Sequence, residues 1–174
     1  MKLIMTLSII LILGLAVNGQ DNDKDIELSS KFIIDLIDEV EWPEGSYRDS
    51  FVINVVGDNG FVSILRSIAR SKSSGGKNII INPVSIDDKF EECQMIFIST
   101  DSLSHLAKIL KKAEKKPILT VSIHRSFARY GVMVNIREIK NNKIEYDINN
   151  MTARKSNLKI DEDFRKKAIE TFGK

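Results

Sequence analysis

Four short and almost wholly apolar runs, Phe51–Val56, Ile79–Ile81, Met95–Ile98 and Pro117–Val121, alternate with stretches whose apolar residues recur every three or four positions. A strand that is apolar throughout must be covered on both faces, and strands that alternate with helices are joined by crossovers that lay those helices on the sheet. The chain therefore predicts an α/β fold: one three-layer domain with a mainly parallel sheet flanked by helices. Ile26, Phe32, Ile33, Leu36, Ile37 and Val40 stripe a first helix that should end at Glu41-Trp42-Pro43, since proline disfavours helical geometry in the residue before it. Phe61, Ile64, Leu65 and Ile68 stripe a second, broken by Ser71–Lys77, and Leu103, Leu106, Leu110 and Ala113 a third.

After Gly131 the pattern changes. Val132, Val134 and Ile136 alternate with other residues, and so do Ile144, Tyr146 and Ile148 beyond Lys140-Asn141-Asn142-Lys143. Two alternating runs around an Asn-rich turn read as an antiparallel hairpin. Phe164, Ala168, Ile169 and Phe172 then stand at helical spacing, so the tail should close the domain as one or two helices. The hairpin would leave an edge that a second subunit could cover, which keeps a homodimer open.

At the amino end Lys2 precedes a nearly unbroken apolar run, Leu3–Val17, followed by Asn18-Gly19-Gln20. The run is shorter than the about 20 apolar residues of a spanning helix and reads as a secretory signal. Cleavage is expected after Gly19, giving a signal peptide over 1–19, a flexible leader over 20–25 and an α/β domain over 26–174. An uncleaved anchor is the other reading, but nothing basic follows the run as a stop-transfer flank. The remaining stretch of about 155 residues suits one domain with a core of its own.

Charge and cysteine usage exclude several classes. With 26 basic and 24 acidic residues there is no electrostatic case for nucleic acid. The single cysteine, Cys93, excludes an internal disulfide, and with two histidines there is no structural-zinc spacing. No cofactor or metal is expected. Cys93 opens an apolar segment and is expected to be buried.

Open α/β sheets bind ligands at the carboxyl ends of their parallel strands, which here gathers Asp58, Asn59, Ser99, Thr100, Ser122 and His124 as candidate ligand-binding residues. The plainer reading is helix capping and loop duty. Hydrolysis by Ser122 and His124 is disfavoured, because no Gly-x-Ser-x-Gly elbow surrounds a serine. Ser73–Lys77 lacks the residue order of a phosphate loop and reads as a turn. Lys108, Lys111, Lys112 and Lys115 share one side of the third helix and are candidate partner-binding residues, with a solvated face as the alternative. Trp42, the only tryptophan, is a further candidate anchor, with packing under the first helix as the alternative.

Several segments together carry a family likeness: the aliphatic helix into Val40-Glu41-Trp42-Pro43, then Phe51–Asp58, and Cys93-Gln94-Met95-Ile96-Phe97-Ile98. Pro117–Ser122, Phe127, Gly131 and the hairpin ending Tyr146-Asp147-Ile148-Asn149 follow in order. Over nearly the whole chain beyond Ile26 the sequence resembles the YfiR/HmsC family. The resemblance implies a small periplasmic protein without catalysis of its own. Its partner would be a membrane signalling protein with a periplasmic segment, a diguanylate cyclase in the namesake's case, with an outer-membrane lipoprotein relieving the restraint. The chain departs from the family at Ile123, where an acidic residue is usual, at Gly131-Val132, where a glycine pair is usual, and in lacking the family's other disulfide cysteines. A periplasmic small-molecule sensor, with its crevice at the carboxyl ends of the strands, is the alternative function, and a receptor kinase an alternative partner.

Overall fold

The structure, a computed structural model, describes residues 17–46, 49–57, 59–72, 78–90, 92–124 and 126–173. Most of the amino-terminal apolar run, together with Asp58 and the turn 73–77, lies outside the described residues.

Helix α1 (Val17–Asp35) takes in the segment 20–25 expected as a leader. Its buried stripe of Ile33 and Ile34 continues into Leu36, Ile37 and Val40. The helix itself ends earlier than its spacing suggested. Bonds from Ile37 N–H to Ile34 O, Asp38 N–H to Asp35 O and Glu39 N–H to Leu36 O tighten the chain after Asp35. Val40–Glu41 then becomes strand β1, antiparallel to Lys159–Ile160. Sheet pairing with the distant tail takes the backbone groups a further helical turn would have used, a preference that local periodicity does not carry.

Among the described residues the main sheet has seven strands. Strand β2 (Ser50–Val56) runs parallel to both β3 (Asn78–Val84) and β4 (Met95–Ile98), and it is apolar on both faces because Phe51, Ile53 and Val55 join one core and Val52 and Val56 another. Strand β5 (Leu119–Ile123) lies parallel beside β4, and β6 (Val134–Lys140) parallel beside β5. Strand β7 (Lys143–Asn149) returns antiparallel through Asn141 and Asn142. Both turn residues have left-handed φ, 51° and 58°, as a tight hairpin requires and as asparagine tolerates. Two crossover helices complete the frame, α2 (Asn59–Ser71) between β2 and β3 and α3 (Leu106–Ala113) between β4 and β5.

β4 shows the three layers in one strand. Met95 and Phe97 join the core under α1 and α2, while Ile96 and Ile98 join a second core under Leu106, Ile109 and Ala113 of α3. Cys93 belongs to the second core, as expected, with its Sγ 3.5 Å from Phe90 O. Burial pushes its thiol up to about 11, so it is not a reactive thiolate near neutral pH.

The tail departs from the expected run of helix. It forms α4 (Asn150–Lys155), β8 (Lys159–Ile160), α5 (Glu162–Lys166) and a final strand β9 (Glu170–Phe172). Phe164 does face the core, stacked at 4.5 Å on Tyr146, whose hydroxyl donates to Phe164 O at 2.7 Å. Ile169, however, is 55% exposed, because its N–H bonds Tyr146 O and turns the chain into β9. β9 lies parallel to Asp147–Asn149 and covers that part of the hairpin edge expected to be open to a second subunit. At the opposite edge, β3 carries Pro83 and has Ile81 O capped by the Arg66 guanidinium at 3.0 Å, two features that blunt an edge strand.

Candidate functional site

The carboxyl ends of the parallel strands are stitched together by their polar residues. Thr100 Oγ1 donates to Ile123 O at 3.0 Å, joining the turn after β4 to the end of β5. Ser102 Oγ donates to Val56 O at 3.3 Å, and Ser99 is buried with its N–H on Val56 O. Asn59 opens α2, its side chain outside the description as Asp58 is.

Ser122 points into the molecule. Leu119 and Val121 face the first core, so Thr120 and Ser122 of the same strand face the other way, on the α3 side. There the register places Ser122 beside Asn135 and Asn135 beside Asp147, one polar row across β5, β6 and β7. Ser122 is fully buried and its hydroxyl donates to Asn135 Oδ1 at 2.7 Å. Burial raises the Asp147 carboxyl above the usual range, against the lowering pull of Arg137, whose Nη1 stands 3.3 Å away. His124 is stacked on Phe127 at 4.3 Å. A buried serine committed to an amide is not an activated nucleophile. Among the described residues no group of three His, Cys, Asp or Glu is placed to hold a metal.

The four lysines expected on one helix side divide, and Lys115 stands beyond the helix, because α3 ends at Ala113 and the chain turns left-handed at Lys115. Lys108 pairs with Asp87, and Lys112 bonds Ile86 O and Asp88 O while lying 4.5 Å from the centre of the Phe90 ring, so both pin the β3–β4 connection to the helix. Lys111 and Lys115 are exposed and line a cleft of ≈ 860 Å³ with Leu110, Glu114, Tyr130, Gly131, Thr152 and Lys155. Thr120 is the second residue of β5 and Met133 immediately precedes β6, and both contribute to its lining. The cleft therefore lies at the amino ends of the parallel strands, opposite the edge expected to bind. Gly131, with φ of +109°, caps the 3-10 turn Phe127–Tyr130 and brings the chain to within a Cβ's contact of Leu110 and Thr152. Asn149 fixes the other wall, its side chain accepting the Thr152 N–H at the start of α4 and donating to Ala128 O, each at 2.9 Å.

Trp42 is half-buried. Its ring meets Phe51 edge-on at 5.0 Å and its Nε1 donates to Gln94 O at 3.3 Å, the packing role rather than a free anchor. Of the partner-binding candidates the structure brings Lys111 and Lys115 together, adding Lys155, Thr152 and Tyr130, which periodicity gave no reason to choose.

With this geometry in place, the YfiR/HmsC-like family model matches residues 27–167, most of the chain. The chain belongs to the YfiR/HmsC-like family. The match spans every strand of this YfiR/HmsC-like domain except β9, and both walls of the cleft. No curated protein matches the chain significantly. Among the described residues no helix of the domain is long and apolar enough to cross a membrane.

Proposed function

We propose that the protein is exported to the periplasm and works there as a regulator, by protein–protein contact and without catalysis. It restrains a membrane signalling protein that has a periplasmic segment: a diguanylate cyclase, whose output is cyclic-di-GMP, or a receptor kinase. The family match over residues 27–167 is the observation that carries this reading. The burial of Ser122 against Asn135 supports it, because a serine held by an amide is not an activated nucleophile. An open cleft beside two exposed lysines supports action through a surface.

The test is crosslinked capture from the native envelope, using the tagged full chain. Recovery of an identified membrane signalling enzyme is expected, together with a rise in its product when the gene is deleted. Unchanged product on deletion, with no such enzyme recovered, refutes the reading.

A further inference from the structure

We infer that the cleft between α3 and α4 is the docking site for an acidic segment of the partner, one that carries an apolar side chain among its carboxylates. The inference rests on the regulatory reading above and names the chemistry by which that contact is made. Lys111, Lys115 and Lys155 line the cleft against a single carboxylate, Glu114, a net charge of +2, as large as the formal charge of the whole chain. Three other exposed lysines are answered from within: Lys108 by Asp87, Lys159 by Glu41 and Lys166 by Glu162 and Asp163. The three cleft lysines have no such partner among the described residues. Three cations against one carboxylate make the concave lining positive, and electrostatic complementarity selects an anionic occupant.

Between those charges the lining mixes apolar residues, Leu110, Ala113, Tyr130 and Met133, with small polar ones. Leu110 is half-buried in the cleft wall and Tyr130 is 67% exposed at its side, a large aromatic left uncovered on a domain that buries most others. Tyrosine is a frequent anchor at protein interfaces. The cleft's ≈ 860 Å³ admits a few side chains. Its concavity favours a peptide segment over a membrane surface, since a flat array of headgroups would meet the lysine tips and leave Leu110 uncovered. Lys115 is also held with φ of +58°, a left-handed conformation that non-glycine residues adopt at a cost.

The test uses protein purified from the envelope of cells making the full chain, and fluorescent peptides in which glutamate alternates with phenylalanine, lysine with phenylalanine, or glutamate with serine. The glutamate–phenylalanine peptide should bind, the lysine–phenylalanine one should not, and the glutamate–serine one should bind more weakly. Lys111→Glu and Lys155→Glu should each weaken binding about tenfold or more, with melting temperature unchanged. Lys31→Glu makes the same charge change on an exposed position of α1 and should leave binding as it was. Equal binding by the cleft variants, or no binding by the wild type, overturns the inference. So does a dimer that the cleft variants convert to monomer, which makes the occupant a second copy. Binding to phosphatidylglycerol vesicles that the same variants abolish, without peptide binding, assigns the cleft to lipid and also overturns it. Envelope capture separates the two proposals: an identified signalling enzyme recovered equally by wild type and Lys111→Glu sinks the cleft and spares the regulator. Peptide binding with no enzyme recovered does the reverse.

Discussion

Lys115 offers a substitution whose effects on stability and on binding should have opposite signs. It follows Glu114, whose ψ of 130° breaks α3, and its own φ is +58°. Bonds from Lys116 N–H to Ala113 O at 3.1 Å and from Ile118 N–H to Lys116 O at 2.7 Å hold the turn that leads into β5. In that conformation a Cβ crowds the following carbonyl at a cost of about 1–2 kcal/mol, which glycine avoids. Glycine in turn gives up about 0.5–1 kcal/mol through the greater freedom of the unfolded chain. The net expectation for Lys115→Gly is a stabilisation of about 0.5–1 kcal/mol, or a melting temperature raised by about 1–4 °C for a domain of this size. Lys115→Ala keeps the Cβ and loses only an exposed side chain, so its stability should move by less than about 0.5 kcal/mol. Both remove the same charge and should weaken the acidic peptide by the same factor. Calorimetry on the two variants, with peptide titrations on each, reads both effects. A glycine variant that melts below the wild type refutes the strain argument, because the turn would then be held by the lysine side chain itself.

Three further outcomes are expected. Phe164→Ala removes the ring stacked on Tyr146 and flanking Phe32, and should cost about 3–5 kcal/mol in urea unfolding, with a loss under about 1 kcal/mol refuting the tail's role in closing the core. Asn149→Ala removes the cap of α4 and orphans the buried Ala128 carbonyl, about 2–4 kcal/mol together, whereas Asn149→Asp keeps the acceptor and should fall between it and the wild type. For Asp147 the folded pKa lies above the unfolded value, so the fold favours the protonated acid, and its contribution is lost as pH rises from the unfolded through the folded pKa. Asp147→Asn should therefore gain more stability relative to the wild type at pH 7 than at pH 4, and an equal change at both values, by denaturant unfolding, would refute this.

What was legible in the sequence was the part of the fold set by burial on two faces. Met95–Ile98 reads as a central strand because all of its side chains must find cover, and the structure provides two cores for them. The hairpin was legible through Asn141-Asn142, because few residues tolerate adjoining left-handed positions. Val40 and Ile169 misled for one reason: each stands at helical spacing from the residues before it, but its backbone belongs to a pairing with a partner distant in sequence. Val40 pairs with Ile160, and Ile169 N–H meets Tyr146 O. Helical spacing records which face is apolar and is silent about which strand comes to lie alongside.

The cleft was half legible for a related physical reason. Spacing placed Lys108, Lys111, Lys112 and Lys115 on one side of α3, but one helix face meets different neighbours along its length. The β3–β4 connection supplies Asp87 and two carbonyls to Lys108 and Lys112. Toward the helix end the neighbour is α4, which brings Lys155 and no carboxylate. The same four residues thus hold a loop at one end and line an open cleft at the other. The expectation of a site at the carboxyl ends assumed that strand-end polar groups are spare. Here Thr100, Ser102 and Ser122 spend their hydroxyls on Ile123, Val56 and Asn135, joining neighbouring strands. Those hydroxyls knit the sheet at its carboxyl ends, while the cleft stands open at the amino ends.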